Sequence, residues 1–202
     1  MKDSNDGSNK KSIILTVVLL LILVVTVVGV TFAVFSFSQT GTKTNTISTG
    51  SIQCSFVEGD PISITAAQPI SDTVGKTLAA GSIAGYTAGY YDSTISCTCN
   101  GTCSGNYELY LKNTSTAPAL DTSYVKTYLT DGATTETQLN AVTLYSALTT
   151  ATADAAGKRI YQKSFTGTFT QKHRLRVWVA DTYPVTGTSN NFSAKIYAKV
   201  SA

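Results

Sequence analysis

Apolar residues fall at every second position through long parts of the chain, and this alternation limits the fold more than any other feature. Phe192, Ala194, Ile196, Ala198 and Val200 share one face of a strand whose other face carries Ser193, Lys195, Tyr197 and Lys199. Leu175, Val177 and Val179 alternate in the same way with Arg174, Arg176 and Trp178, and Tyr107, Leu109 and Leu111 with Glu108, Tyr110 and Lys112. Ile52, Cys54 and Phe56 alternate with Gln53, Ser55 and Val57. A period of two turns one face to a core and the other to water, as in antiparallel strands buried on one side. Shorter β candidates lie at 62–65, within 86–99, at 125–129 and over 160–169. Turn residues punctuate them at Glu58-Gly59-Asp60-Pro61, Asn100-Gly101, Asp131-Gly132, Ala156-Gly157 and Thr188-Ser189-Asn190-Asn191. The pattern predicts an all-β fold, an antiparallel β-sandwich of jelly-roll or Greek-key type. Residues 137–148 read at most as a short helical connector, and 72–89 and 149–157 as long loops.

The N-terminus differs in kind. An apolar run from Ile13 to about Val30 follows Lys2, Lys10 and Lys11. At roughly 18 residues it exceeds an ordinary signal-peptide core and reaches the lower limit for a spanning helix. The lysines precede the run, which leaves the N-terminus in the cytoplasm and exports everything beyond Ala33. Thr31-Phe32-Ala33 supplies small residues for a cut after Ala33, so 1–33 is a signal peptide or a membrane anchor, and 34–202 a single β-sandwich domain. Charged residues make up 13% of the chain and the net charge is +3, part of it in the cytoplasmic start; nothing here points to nucleic acid.

An exported chain with four cysteines, Cys54, Cys97, Cys99 and Cys103, points to two disulfides. Asn100-Gly101 reads as a hairpin loop bringing Cys99 to Cys103, which leaves Cys54 for Cys97. Zinc is the competing reading, but C-x-C-x3-C is not the spacing of paired zinc knuckles. The one histidine, His173, sits between Lys172 and Arg174, a setting that suggests a surface or structural role, and neither H-E-x-x-H nor G-x-S-x-G occurs. Glu58 and Asp60 read as a strand-ending turn rather than an ion site. Tyr86, Tyr90, Tyr91, Tyr107 and Tyr110 are ordinary sheet residues or a contact surface, and Trp178 is either a second buried layer or a contact residue. No catalytic residue, cofactor site or metal site is expected.

The stretches "VGVTFAVFSFSQTGTKTNTISTGSI", "NYELYLKNTS", "LDTSYVKTYLTDG" and "HRLRVWVAD" resemble the exported fibre-forming proteins of Gram-positive bacteria that include TasA and camelysin (CalY), whose precursors carry a SipW-type signal. The resemblance implies a jelly roll that assembles into extracellular fibres at the cell surface or in a biofilm matrix. It also implies that signal peptidase frees an N-terminal segment, within 34–50, which completes a neighbour's sheet. Val34, Phe35 and Phe37 are the donor-strand candidates, because a short apolar strand can pair with an open sheet edge. The alternative is a monomeric binding module for glycan or protein, held to the membrane by an uncleaved helix. The four cysteines and the Gly/Ala-rich stretch before Cys97 depart from the family pattern. Camelysin has been described as a metallopeptidase; without a metal motif that activity does not carry over.

Overall fold

The computed structural model describes residues 16–20, 35–36, 44–49, 52–66, 68–79, 81–86, 90–116, 119–150, 157–184 and 191–201. The described strands are β1 (Phe35–Ser36), β2 (Thr44–Thr49), β3 (Ile52–Glu58), β4 (Ile62–Thr65), β5 (Tyr91–Cys99) and β6 (Ser104–Asn113). They continue with β7 (Val125–Thr130), β8 (Gln138–Leu144), β9 (Thr149–Thr150), β10 (Lys158–Thr166), β11 (Phe169–Val179) and β12 (Asn191–Ser201). Two antiparallel sheets result. Sheet A runs β1-β12-β6-β10-β9 with β4 also on β12, and sheet B runs β2-β3-β5-β11-β7-β8. The alternating residues supply one buried cluster between them: Phe56, Ile95, Leu129, Leu175 and Val177 from sheet B, and Leu109, Leu111, Phe192 and Ile196 from sheet A. Each such side chain contributes about 1.5–3 kcal/mol by leaving water.

Pairing decides segments whose local pattern is ambiguous. Residues 137–148 form no α-helix. Most of them make β8, which pairs with β7 from Lys126↔Leu144 to Thr130↔Gln138 and is followed by a 3-10 turn at Tyr145–Ala147. An available edge on β7 outweighs weak helical spacing in a segment containing Thr and Val. Part of 149–157 is β9, which pairs with β10. Asn100-Gly101 makes a turn with Gly101 at φ +89°, a conformation suited to glycine, yet it closes no hairpin, since β5 and β6 belong to different sheets.

The stretch 72–89 is not a bare loop either. Its start forms the helix α2 (Asp72–Lys76), whose N-cap Ser71 accepts from the Val74 N–H, and a strap continues across the outer face of sheet B. Gly75 lies directly on the Trp178 ring, where any Cβ would collide with it, and Trp178 is fully buried. Further along, the Leu78 carbonyl accepts from Arg176 Nε at 3.1 Å. Tyr86 Oη accepts from the Val179 N–H at 3.0 Å and donates to the Gln68 carbonyl at 2.9 Å. Trp178 thus fills a second buried layer, between sheet B and the strap.

Of the N-terminal apolar run only a helical stretch at 16–20, α1, is described, and it is exposed. Among the described residues no helix is long and apolar enough to cross a membrane. Ala33, Val34 and Phe37 lie outside the described residues.

Candidate functional site

Two features can carry function: an edge of sheet A and a polar row inside the sandwich. At the edge, β6 lines one side of β12, and two short strands share the other. β4 pairs with residues 191–194, and β1 pairs antiparallel with 199–200, Phe35 opposite Val200 and Ser36 opposite Lys199. The next strand, β2, is the outermost of sheet B, so the chain passes from one sheet to the other between residues 36 and 44. A two-residue strand contributes few hydrogen bonds and no ladder of its own.

The interior row follows from register. Glu58 on β3 stands opposite Ser93 on β5, and Ser93 opposite His173 on β11; all three are buried, at 4%, 4% and 2% exposure. Tyr91, two residues before Ser93, is buried on the same face. Sheet A supplies Tyr107, whose hydroxyl lies 3.1 Å from His173 Nε2, and Tyr161, which packs against both rings. Glu58 Oε1, Tyr91 Oη, Ser93 Oγ and His173 Nδ1 have no hydrogen-bond partner, and they are four of the six such buried atoms among the described residues. The Glu58 carboxyl and the Tyr91 hydroxyl nevertheless act on each other, Tyr91 lowering the proton affinity of Glu58 and Glu58 raising that of Tyr91. The row is a coupled buried polar group rather than four isolated ones. His173 is therefore no surface residue, and Glu58 is more than the end of a turn. The row does not form a nucleophilic relay. Serine stands between acid and imidazole, so the acid cannot orient the imidazole that would activate the serine.

Burial sets the proton affinities in this row. It pushes the Glu58 carboxyl up to about 6, against smaller lowering effects of Tyr91 and Lys195. Burial also pushes His173 down to about 4, helped by the charge of Lys163. A carboxyl raised in the fold adds stability below its unfolded value that is lost as pH rises through about 6. An imidazole lowered in the fold adds stability above about 6.5 that is lost as pH falls towards about 4. Between roughly pH 6 and 4.5 the two effects oppose and nearly cancel, each worth about 2 kcal/mol. Urea denaturation at a series of pH values checks this. E58Q is expected to expose the histidine effect, losing about 2 kcal/mol between pH 6.5 and 4.5, and H173Q to gain stability over that window. Parallel profiles for the two variants would contradict the assignment.

The other residues singled out in the sequence separate into structural roles. Cys54 is bonded to Cys97 and Cys99 to Cys103. Tyr90 lies under the Arg174 guanidinium, 3.9 Å from ring centroid to Cζ. Tyr86, Tyr91 and Tyr107 are core residues, and Tyr110 is 6% exposed. Among the described residues no group of three or more His, Cys, Asp or Glu gathers to hold a metal. No protein-family model, curated protein or solved structure matches the chain.

Proposed function

We propose that this chain is a non-enzymatic, exported structural protein, a cell-surface or biofilm-matrix fibre subunit whose N-terminal strand is donated to the next subunit. The single observation behind this reading is the pairing of Phe35 and Ser36 with the edge of β12. An edge that accepts this segment from its own chain presents the same unpaired groups to the same segment of another. Exchange of an identical element between copies costs little, because the strand makes the same pairings in either arrangement. Cutting after Ala33 would leave the donor near a new N-terminus. The alternation of the chain between sheets, from β3 to β4, β5, β6 and β7, supports the jelly-roll reading.

The pairing within one chain also favours a second reading, a monomer that completes its own sheet and is displayed on a retained N-terminal helix as a glycan- or protein-binding module. Deleting residues 34–38 separates the two. Under strand donation the fibres seen by electron microscopy are expected to disappear while the monomer stays folded, since β1 contributes only two paired residues. Unchanged fibres would sink the donor mechanism.

A further inference from the structure

The two ends of sheet A are finished differently. At one end β4 and β1 lie against β12, while at the other β9 lies against β10 only at Lys158 and Arg159. Over 161–166, β10 pairs with β6 on one side and with no strand among the described residues on the other. Sheet B opens beside it. Strand β7 leaves β11 at the Thr130↔Arg174 pair, so residues 169–172 have only β5 beside them among the described strands. At this corner side chains, rather than a further strand, span the two sheets: Phe165 against Phe169, Tyr161 against His173, and Lys163 to Gln171. The free edge of β10 presents main-chain N–H and C=O groups to any extended segment that reaches it.

One residue on that edge breaks the pattern of its neighbours. Register puts Tyr161, Lys163 and Phe165 opposite Leu109, Tyr107 and Gly105, all three buried, so Lys163 shares the inward phase of two aromatic residues packed with the core. Gln171 has the same phase on β11, opposite Ile95. Lys163 is nonetheless exposed, and its Nζ donates to Gln171 Oε1 at 3.0 Å across the opening. Its charge also helps to lower the proton affinity of His173, deeper on the same face. We infer that the free edge of β10 is a latent two-fold docking site for a second copy of this chain, and that Lys163 holds it closed. Two β10 edges can pair antiparallel about a two-fold axis, continuing sheet A from one copy into the next. Inward residues must then oppose inward residues. A register centred on residue 163 meets this condition and sets Tyr161 opposite Phe165 of the second copy, and Gln162 opposite its Ser164. The same register sets Lys163 against Lys163 of the second copy. Like charges directly opposite repel, and the joined sheets would shield both ammonium groups from water with neutral amides as their partners. An inward charge on an edge strand guards it in this way.

This contact does not depend on whether chains exchange β1. The test follows the full chain by sedimentation over a series of concentrations, with amide hydrogen exchange read separately over β10 and β12 so that the two contacts are judged apart. K163V is expected to self-associate at a concentration about tenfold or more below that of the parent. Its amides over 161–166 are expected to gain protection as it associates. K163T is a milder change that serves if K163V does not fold, and it is expected to shift in the same direction. K163R keeps the charge and is expected to behave as the parent. K172V, which removes an exposed lysine paired with Thr94 on the outward face of sheet B, is expected to do the same. Self-association of K163V and K163T no stronger than the parent's would overturn the inference. So would association that leaves 161–166 exchanging as in the monomer, or an equal gain in K172V.

Discussion

Removing the Cys54–Cys97 bond, as C54A/C97A, is expected to lower stability by about 4 kcal/mol and Tm by roughly 10 °C. The two cysteines are register partners on β3 and β5, buried at 3% and 0% exposure, and 43 residues apart in sequence. The bond closes a loop containing β4, α2 and the strap, segments that in the unfolded chain would otherwise range freely. Cross-linking stabilises mainly by limiting that freedom, and the effect grows slowly with loop size. The bond between Cys99 and Cys103 spans a separation of 4, for which the same relation gives about 2 kcal/mol. Urea denaturation of the two double variants checks the ordering. Equal losses would mean that the long loop is already restrained in the unfolded state.

A second large effect is expected at Glu136. Its Oε2 accepts from Arg176 Nη1 at 2.6 Å and from Thr130 Oγ1 at 2.7 Å; Oε1 accepts from Arg176 Nη2 at 2.9 Å and Arg174 Nη1 at 3.0 Å. The Arg176 hydrogen bonds, with those from Thr130 and Arg174, hold this carboxyl down at about 2 despite its partial burial. Arg176 is the vulnerable partner, its side chain only 7% exposed beneath the strap. E136A would leave that charge buried without compensation, and the expected loss is about 3 kcal/mol. D92N removes a partner of Arg174 whose own side chain is 47% exposed, and about 1 kcal/mol or less is expected there. The Glu136 contribution is present above the ordinary carboxylate range and is lost as pH falls through about 2, so the E136A deficit should shrink in acid. Comparable losses in the two variants would show that burial of Arg176 is not the controlling factor.

Alternation made the sheets legible because a strand buried on one face repeats its requirement every second residue. The same phase, followed one step further, reaches the interior row. Glu58 is in phase with Ile52, Cys54 and Phe56, and His173 with Leu175, Val177 and Val179, so both belong on the buried face. The basic neighbours Lys172 and Arg174 point the other way and say nothing about His173. Tyr91 and Ser93 share the phase of Ile95 and Cys97, which is the signal that would have completed the row. Register was not legible. That Glu58, Ser93 and His173 form one line depends on how three strands slide past one another, and this is set by contacts distant in sequence. The strap was hidden for a related reason. Gly75 looks like a loop residue until Trp178 is seen against it, and the close approach exists only in the folded chain.

The most direct test of strand donation uses the register of β1 on β12. Phe35 and Val200 are partners, so F35C/V200C places two thiols opposite each other wherever that pairing forms. Protein recovered from the medium and the cell surface is oxidised and run without reductant. Strand donation predicts a ladder of covalent oligomers in the assembled fraction, with monomer-internal bonds confined to unassembled protein. A cross-linked monomer in every fraction, at every concentration, would contradict it and leave β1 as a strand of its own chain.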